Sequence, residues 1–278
     1  MLAARTCRVV AAGAGASLAT VLAVLTGLGP AAAAEDGHDD PLGYVVDLEA
    51  LDDPAVVAEG RRLYQRGCVS CHGVDGVGAP AGPPLRDAGA ASAHFQLTSG
   101  RMPATVPAGA QPQRKPPAYG AEEITALVAY VASLGDGPEI PRVHPDEADV
   151  AVGGELFRQV CAACHSATGA GGAQSYGRIA PTLMESTPVQ VAEAMRIGPG
   201  QMPVFGPERF SDEEVDEIVR YVQFLQEVGD PGGFALGRIG PIPEGFVAIV
   251  IGLGATLLAA FWVGKRREQS HDVEEGSA

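Results

Sequence analysis

Two copies of one five-residue pattern constrain this chain more than anything else in it: Cys68-Val69-Ser70-Cys71-His72 and Cys161-Ala162-Ala163-Cys164-His165, 93 residues apart. Cys-x-x-Cys-His is the attachment signature of c-type haem. The spacing has a chemical reason, because two thiols must reach the two vinyl groups on one porphyrin edge while the next residue's imidazole reaches the iron. Two covalently bound haem c groups are expected, one on Cys68 and Cys71 and one on Cys161 and Cys164, with His72 and His165 as axial iron ligands. A bare Cys-x-x-Cys has other uses. A thioredoxin-like redox pair sits beside a βαβ pattern, which this sequence does not show. A structural zinc site takes four ligands from paired knuckles, and Cys68, Cys71, Cys161 and Cys164 satisfy that count. Against zinc, a histidine follows each pair directly, and the pairs lie in separate copies of a longer repeat.

That repeat extends well past the cysteines. Gly60, Leu63 and Tyr64 precede the first motif as Gly153, Leu156 and Phe157 precede the second. A small, an apolar and an aromatic residue at i, i+3 and i+4 share one face of a helical turn. Downstream, the stretch from Glu122 to Leu134 matches the stretch from Glu213 to Leu225 at an offset of 91. Apolar residues recur there at three and four, and acids fill the first turn, both signs of a helix. Gly135 ends the first of them. A helix is also predicted over Pro188–Ile197, stopped by Gly198.

A second axial ligand is sought between each motif and the following helix, since His/Met ligation raises the potential of a haem used for electron transfer. The chain has five methionines. Met102, in Gly100-Arg101-Met102-Pro103, is the candidate in the first copy, 30 residues after His72. The second copy offers Met184, Met195 and Met202. Interval favours Met195, also 30 residues after its histidine; context favours Met202, because Gly200-Gln201-Met202-Pro203 repeats Gly-x-Met-Pro. The following proline biases Met202 towards extended backbone, suited to a ligand arriving from a loop, whereas Met195 falls within the predicted helix. Met202 is therefore preferred, and Met184 and Met195 are expected to line the pocket. His38, His94, His144 and His271 show no ligand spacing; of these only His94 is placed to approach a haem edge.

Composition enters through the core and the partners. Aromatic residues make up 5% of the chain and its one tryptophan is Trp262, against 37 Gly and 22 Pro. Repeats of about 80–90 residues with so little bulky material need a staple, and a covalently held porphyrin supplies one. Residues 35–244 carry 30 acidic and 14 basic side chains, a balance that repels nucleic acid. The acidic runs Asp36–Asp53 and Asp212–Glu217 read as solvated surface, or as docking sites for a basic partner.

The ends are apolar. Arg5 and Arg8 precede an uncharged run closing on Ala31–Ala34, which reads either as a secretory signal cleaved after Ala34 or as a retained membrane helix. Both readings export the middle of the chain. Phe246–Val263 is an uncharged run long enough to span a bilayer. Lys265-Arg266-Arg267 comes next, which places that end in the cytoplasm and the haem motifs outside.

On these motifs and this layout the chain resembles the c-type cytochromes, and within them the dihaem cytochrome c subunits of actinobacterial cytochrome bcc complexes. The resemblance implies an all-α fold of two tandem class I cytochrome c domains. The expected layout is a signal or anchor at 1–34, an acidic segment at 35–50, domains at 51–136 and 150–230 joined by a linker at 137–149, a Gly/Pro linker at 231–244, a membrane helix at 245–264 and a tail at 265–278. It also implies a subunit of a quinol–cytochrome c reductase, partnered by cytochrome b and a Rieske iron–sulfur protein and passing electrons to a cytochrome aa3 oxidase. The quinol site lies on other chains. Two other readings stay open: a free-standing membrane-anchored dihaem carrier, and a dihaem peroxidase, which requires one open iron. The stretch from Met102 to Glu122 is nine residues longer than its counterpart after Met202, so residues 103–120 form a Pro-rich loop expected to contact a neighbouring subunit or cover a haem edge.

Overall fold

The computed structural model describes residues 40–106, 110–228 and 241–275. The expected N-terminal signal or anchor helix at 1–34 lies outside the described residues.

The first repeat is built from α1 (Pro54–Gly67), the short α2 (Val69–His72), α3 (Gly89–Thr98) and α4 (Ala121–Ala132). The second follows the same order with α5 (Val150–Leu156), running through a π-helical turn at Phe157–Cys161 into α6 (Ala162–His165), then α7 (Pro188–Ile197) and α8 (Asp212–Glu227). Local chemistry sets the starts. Asp53 and Asp149 cap α1 and α5 by accepting from Ala55 N and Ala151 N. Thr187 with Gln190, and Ser211 with Glu214, form reciprocal capping boxes at α7 and α8. Gly198, at φ 58°, closes α7 in the left-handed conformation that glycine adopts without penalty.

In each repeat the first and last helices cross at a glycine. A Cβ on Gly60 would lie 1.8 Å from the Ala126 carbonyl oxygen, and one on Gly153 would lie 1.8 Å from that of Glu217. Beside each crossing two rings meet, Tyr64 with Tyr130 at 5.1 Å between centroids and Phe157 with Tyr221 at 5.3 Å. The offsets of 93 and 91 between the two copies are thus the same helix crossing made twice. Leu63, Ile124, Leu127 and Val128 centre the first core, and Phe157, Ile218, Val219 and Val222 the second.

The build is mostly helical. It departs from a purely α-helical expectation at a two-stranded antiparallel ladder, β1 (Gly172–Ala173) with β2 (Ile179–Ala180), which closes a loop after the second motif. The glycine-rich segment there has no apolar periodicity to hold a helix, so its backbone pairs across the loop instead.

The two lobes meet along α3 and α7. Val189 of α7 is fully buried within the first lobe's core, and its N–H donates to the Leu42 carbonyl. Tyr44 donates its hydroxyl to the Pro141 carbonyl at 2.6 Å and accepts from Val143 N at 2.8 Å, pinning the connecting segment. At the C-terminus the helix from Pro241 continues to Glu275, and its stretch Glu244–Lys265 is 22 residues long, apolar and wholly unburied. That is long enough to cross a membrane.

Candidate haem sites

Each Cys-x-x-Cys-His sits on a single helical turn, α2 in the first lobe and α6 in the second. The turn carries the second cysteine and the histidine of each motif, with the first cysteine at the residue before it. Cys68 and Cys161 are half-buried against their own lobe's core, while Cys71 and Cys164 are exposed. The four thiols are unbridged. Burial raises the Cys68 thiol above its ordinary pKa and pushes that of Cys161 up to about 11. Among the described residues no cluster of three or more His, Cys, Asp or Glu side chains could hold a metal ion. The four cysteines therefore do not converge on one zinc.

Both histidines are oriented the same way. His72 Nδ1 lies 2.9 Å from the Pro83 carbonyl oxygen, and His165 Nδ1 lies 3.0 Å from that of Pro181. A carbonyl only accepts, so Nδ1 carries the proton and the Nε2 lone pair is left to face an iron. Burial also lowers the His165 pKa, the hydrogen bond to Pro181 opposing it, and the neutral ring is the form that ligates. Room at the motif is guarded by glycine: a Cβ on Gly82 would lie 2.7 Å from the Cys71 carbonyl oxygen and 3.2 Å from His72 Cε1. These residues fit a covalently attached haem, with free thiols, a fixed tautomer and an open Nε2 on each turn.

The residue after each histidine has positive φ, Gly73 at 75° and Ser166 at 63°. The chain then turns back, with Gly78 N donating to the His72 carbonyl and Gly171 N to that of His165.

The methionines divide by setting. Met102 is half-buried against the first core, the same cluster that Cys68 borders; Met202 is half-buried against the second, which Cys161 borders. Gly100 and Gly200, two residues before them, both have positive φ, at 64° and 68°. A side chain on Gly100 would meet the Lys115 carbonyl at 1.8 Å, so the loop after Met102 folds back over its own start. Met195 is 2% exposed, inside the second core on α7. Met184 is half-buried against the same core.

The loop 103–120 reaches the other lobe. Gln111 donates its side-chain amide to the Ile179 carbonyl at 2.9 Å, and Arg114 donates to Gln190 Oε1 at 2.7 Å. It is also tied to its own lobe, where Lys115 N donates to the Ser99 carbonyl and Tyr119 packs against the first core.

Sequence reasoning missed Pro83 and Pro181, which act through backbone carbonyls, although a Pro-x-Leu triplet recurs in both copies as Pro83-Pro84-Leu85 and Pro181-Thr182-Leu183. It also missed Glu193, and it read His94 only as a residue near a haem edge. His94 Nδ1 lies 2.6 Å from Glu193 Oε1, with both side chains 0% exposed.

Residues 57–135 match the family described as cytochrome c, and residues 148–222 that described as cytochrome c oxidase, cbb3-type, subunit III. The chain is 40% identical over 222 residues to the cytochrome bc1 complex cytochrome c subunit of Mycobacterium tuberculosis (strain ATCC 25618 / H37Rv), covering 76% of this chain and 79% of that one. It is 37% identical over 233 residues to the subunit of the same name from Corynebacterium efficiens, covering 77% and 78%. A more distant similarity, 28% over 181 residues, covering 57% of this chain and 55% of the other, links it to the cbb3-type cytochrome c oxidase subunit CcoP of Rubrivivax gelatinosus.

Proposed function

Because this chain belongs to the family of cytochrome bc1 complex cytochrome c subunits, we propose that it relays electrons through two covalently held c-type haems, from a Rieske iron–sulfur protein towards a terminal cytochrome aa3 oxidase. Cys68 and Cys71 hold the first haem and Cys161 and Cys164 the second. His72 and Met102 are the axial ligands in the first lobe, His165 and Met202 in the second. The observation that carries this reading is the doubled geometry: each motif histidine is tied through Nδ1 to a proline carbonyl, at 2.9 and 3.0 Å, with Nε2 free for iron.

When bound, each haem supplies a one-electron iron couple. The chain's own residues orient and tune it. The Pro83 and Pro181 carbonyls hold the imidazoles in one tautomer and raise their basicity. Met202 is favoured over Met195 because its loop bears the same Gly-x-Met-Pro as Met102, whereas Met195 already fills the core beside Val191 and Phe210. A methionine available in each lobe fits electron transfer better than a peroxidase, which needs an open iron.

In the complex, the first lobe takes the position of cytochrome c1 beside cytochrome b and the Rieske protein, and the second replaces a mobile carrier. The C-terminal helix Glu244–Lys265 anchors the chain, with Lys265-Arg266-Arg267 on the cytoplasmic side and both lobes outside. Purification from native membranes, with identification of the associated chains, tests this. Cytochrome b and a Rieske protein are expected in constant ratio to this chain; a chain that is always solubilised alone is a free-standing carrier.

A further inference from the structure

Helices α3 and α7 occupy the same place in the two repeats, each between its Cys-x-x-Cys-His and its Gly-x-Met-Pro, and they pack on one another across the lobe boundary. At that contact stand two groups with no part in haem attachment. His94 Nδ1 lies 2.6 Å from Glu193 Oε1, and neither side chain is exposed. A short polar chain runs alongside: Arg114 donates to Gln190 Oε1 at 2.7 Å, Gln190 Nε2 donates to Thr98 Oγ1 at 3.0 Å, and Thr98 Oγ1 donates to the His94 carbonyl at 2.7 Å. The first two of these bonds cross between the lobes and exist only when both are docked, whereas the Thr98–His94 bond lies within α3.

A buried imidazole–carboxyl pair is a poor way to add cohesion, since apolar side chains of the same volume hold two helices as well or better. What such a pair adds is register. Among the described residues, His94 Nε2 and Glu193 Oε2 are buried with no hydrogen-bond partner. Sliding α3 along α7 would leave Nδ1 and Oε1 unpaired as well, a penalty that apolar contacts do not impose. One docked arrangement is thereby singled out from its neighbours. Burial, opposed by the bond to His94, lifts the Glu193 carboxyl to about 7, as expected for a group held there by geometry at the expense of solvation.

We infer that His94 and Glu193 are positioning residues for electron transfer between the two haem groups, their hydrogen bond fixing the docked register of the lobes and so the separation across which the electron passes. Tunnelling rates fall exponentially with distance, so a defined register sets a defined internal rate. The inference rests on the proposed function in taking each lobe to hold a haem.

The test uses the full chain in its native complex, with Cys7→Ser to remove the one cysteine outside the motifs. Nitroxide labels are placed at Glu122→Cys in the first lobe and Gln159→Cys in the second, both exposed positions. Pulsed electron resonance gives the label-to-label distance, and flash reduction gives the rate between haems. The parent and Glu193→Gln, which keeps a hydrogen-bonding group of the same shape, are expected to show one narrow distance. Glu193→Leu, and the paired His94→Leu/Glu193→Leu that leaves no orphaned partner, are expected to broaden it and to slow transfer at least tenfold, with both haem spectra as in the parent. If Glu193→Leu does not accumulate, the paired variant alone carries the test. A paired variant as narrow and as fast as the parent overturns the inference, because the pair would then be mere filling. The labels read docking without using haem; more than two labels per chain means free motif cysteines, which counts against the proposed function and leaves this inference to be judged on the distances.

Discussion

Ser166 stands where the first repeat has Gly73, and its backbone at φ 63°, ψ 163° lies in a region that side chains other than hydrogen rarely enter. Its hydroxyl, 3.2 Å from Thr168 Oγ1, offsets only part of that strain. Ser166→Gly is expected to stabilise the second lobe by ~1 kcal/mol, measured as a raised Tm of the haem-loaded chain; a lowered Tm would mean the hydroxyl matters more than the backbone. The opposite change is expected at the helix crossing. Gly153→Ala forces a methyl group into the Glu217 carbonyl and should cost about 1–3 kcal/mol or prevent α5 and α8 from closing. At this scale much was legible in the sequence. The five-residue motifs, the paired Gly60 and Gly153 and their aromatic neighbours all announce themselves by recurrence. Pro83 and Pro181 did not, because what they contribute is a carbonyl, which every residue has.

Among the elements, α7 is where sequence and structure diverge most usefully. Its limits, Pro188–Ile197 with Gly198 as the stop, follow from local chemistry. Its role does not. Glu193 and His94 are 99 residues apart on helices that each carry other polar residues, and no periodicity joins them; only docking of the lobes does. The same helix separates the two methionines. Met202→Ala should abolish the methionine-to-iron absorption of the second haem and lower its potential, while Met195→Ala should leave ligation intact and destabilise the lobe by about 2–5 kcal/mol. Reversal of those two spectra would move the ligand to Met195. Acidity offers a further check. Glu193 has a folded pKa near 7 against an ordinary 4.5, so its contribution is fully present below about 4.5 and is lost as pH rises through about 7. Tyr44, raised chiefly by its own burial, also feels that carboxyl's charge. Chemical denaturation across this range should show stability declining with pH, and Glu193→Gln should flatten the decline; an unchanged slope in that variant would assign the effect elsewhere.

For the molecule as a whole, the scarcity of aromatic residues and the doubled motif describe one economy of construction. Each lobe is a few helices around a small apolar cluster, Leu63 to Val131 in the first and Phe157 to Leu225 in the second. On the proposed function, a porphyrin held by two thioethers would complete such a core. Recurrence and hydropathy made the two lobes and the long apolar C-terminal helix readable from sequence. The loop 103–120 was readable only as an insertion, because its attachments through Gln111 and Arg114 depend on where the second lobe sits. Independent attachment of one haem in each lobe is tested most directly by measuring covalent haem per chain after denaturation. Two are predicted for the native chain and one for either Cys68→Ala/Cys71→Ala or Cys161→Ala/Cys164→Ala; a native chain carrying one or none, or a double variant that keeps both, would contradict it.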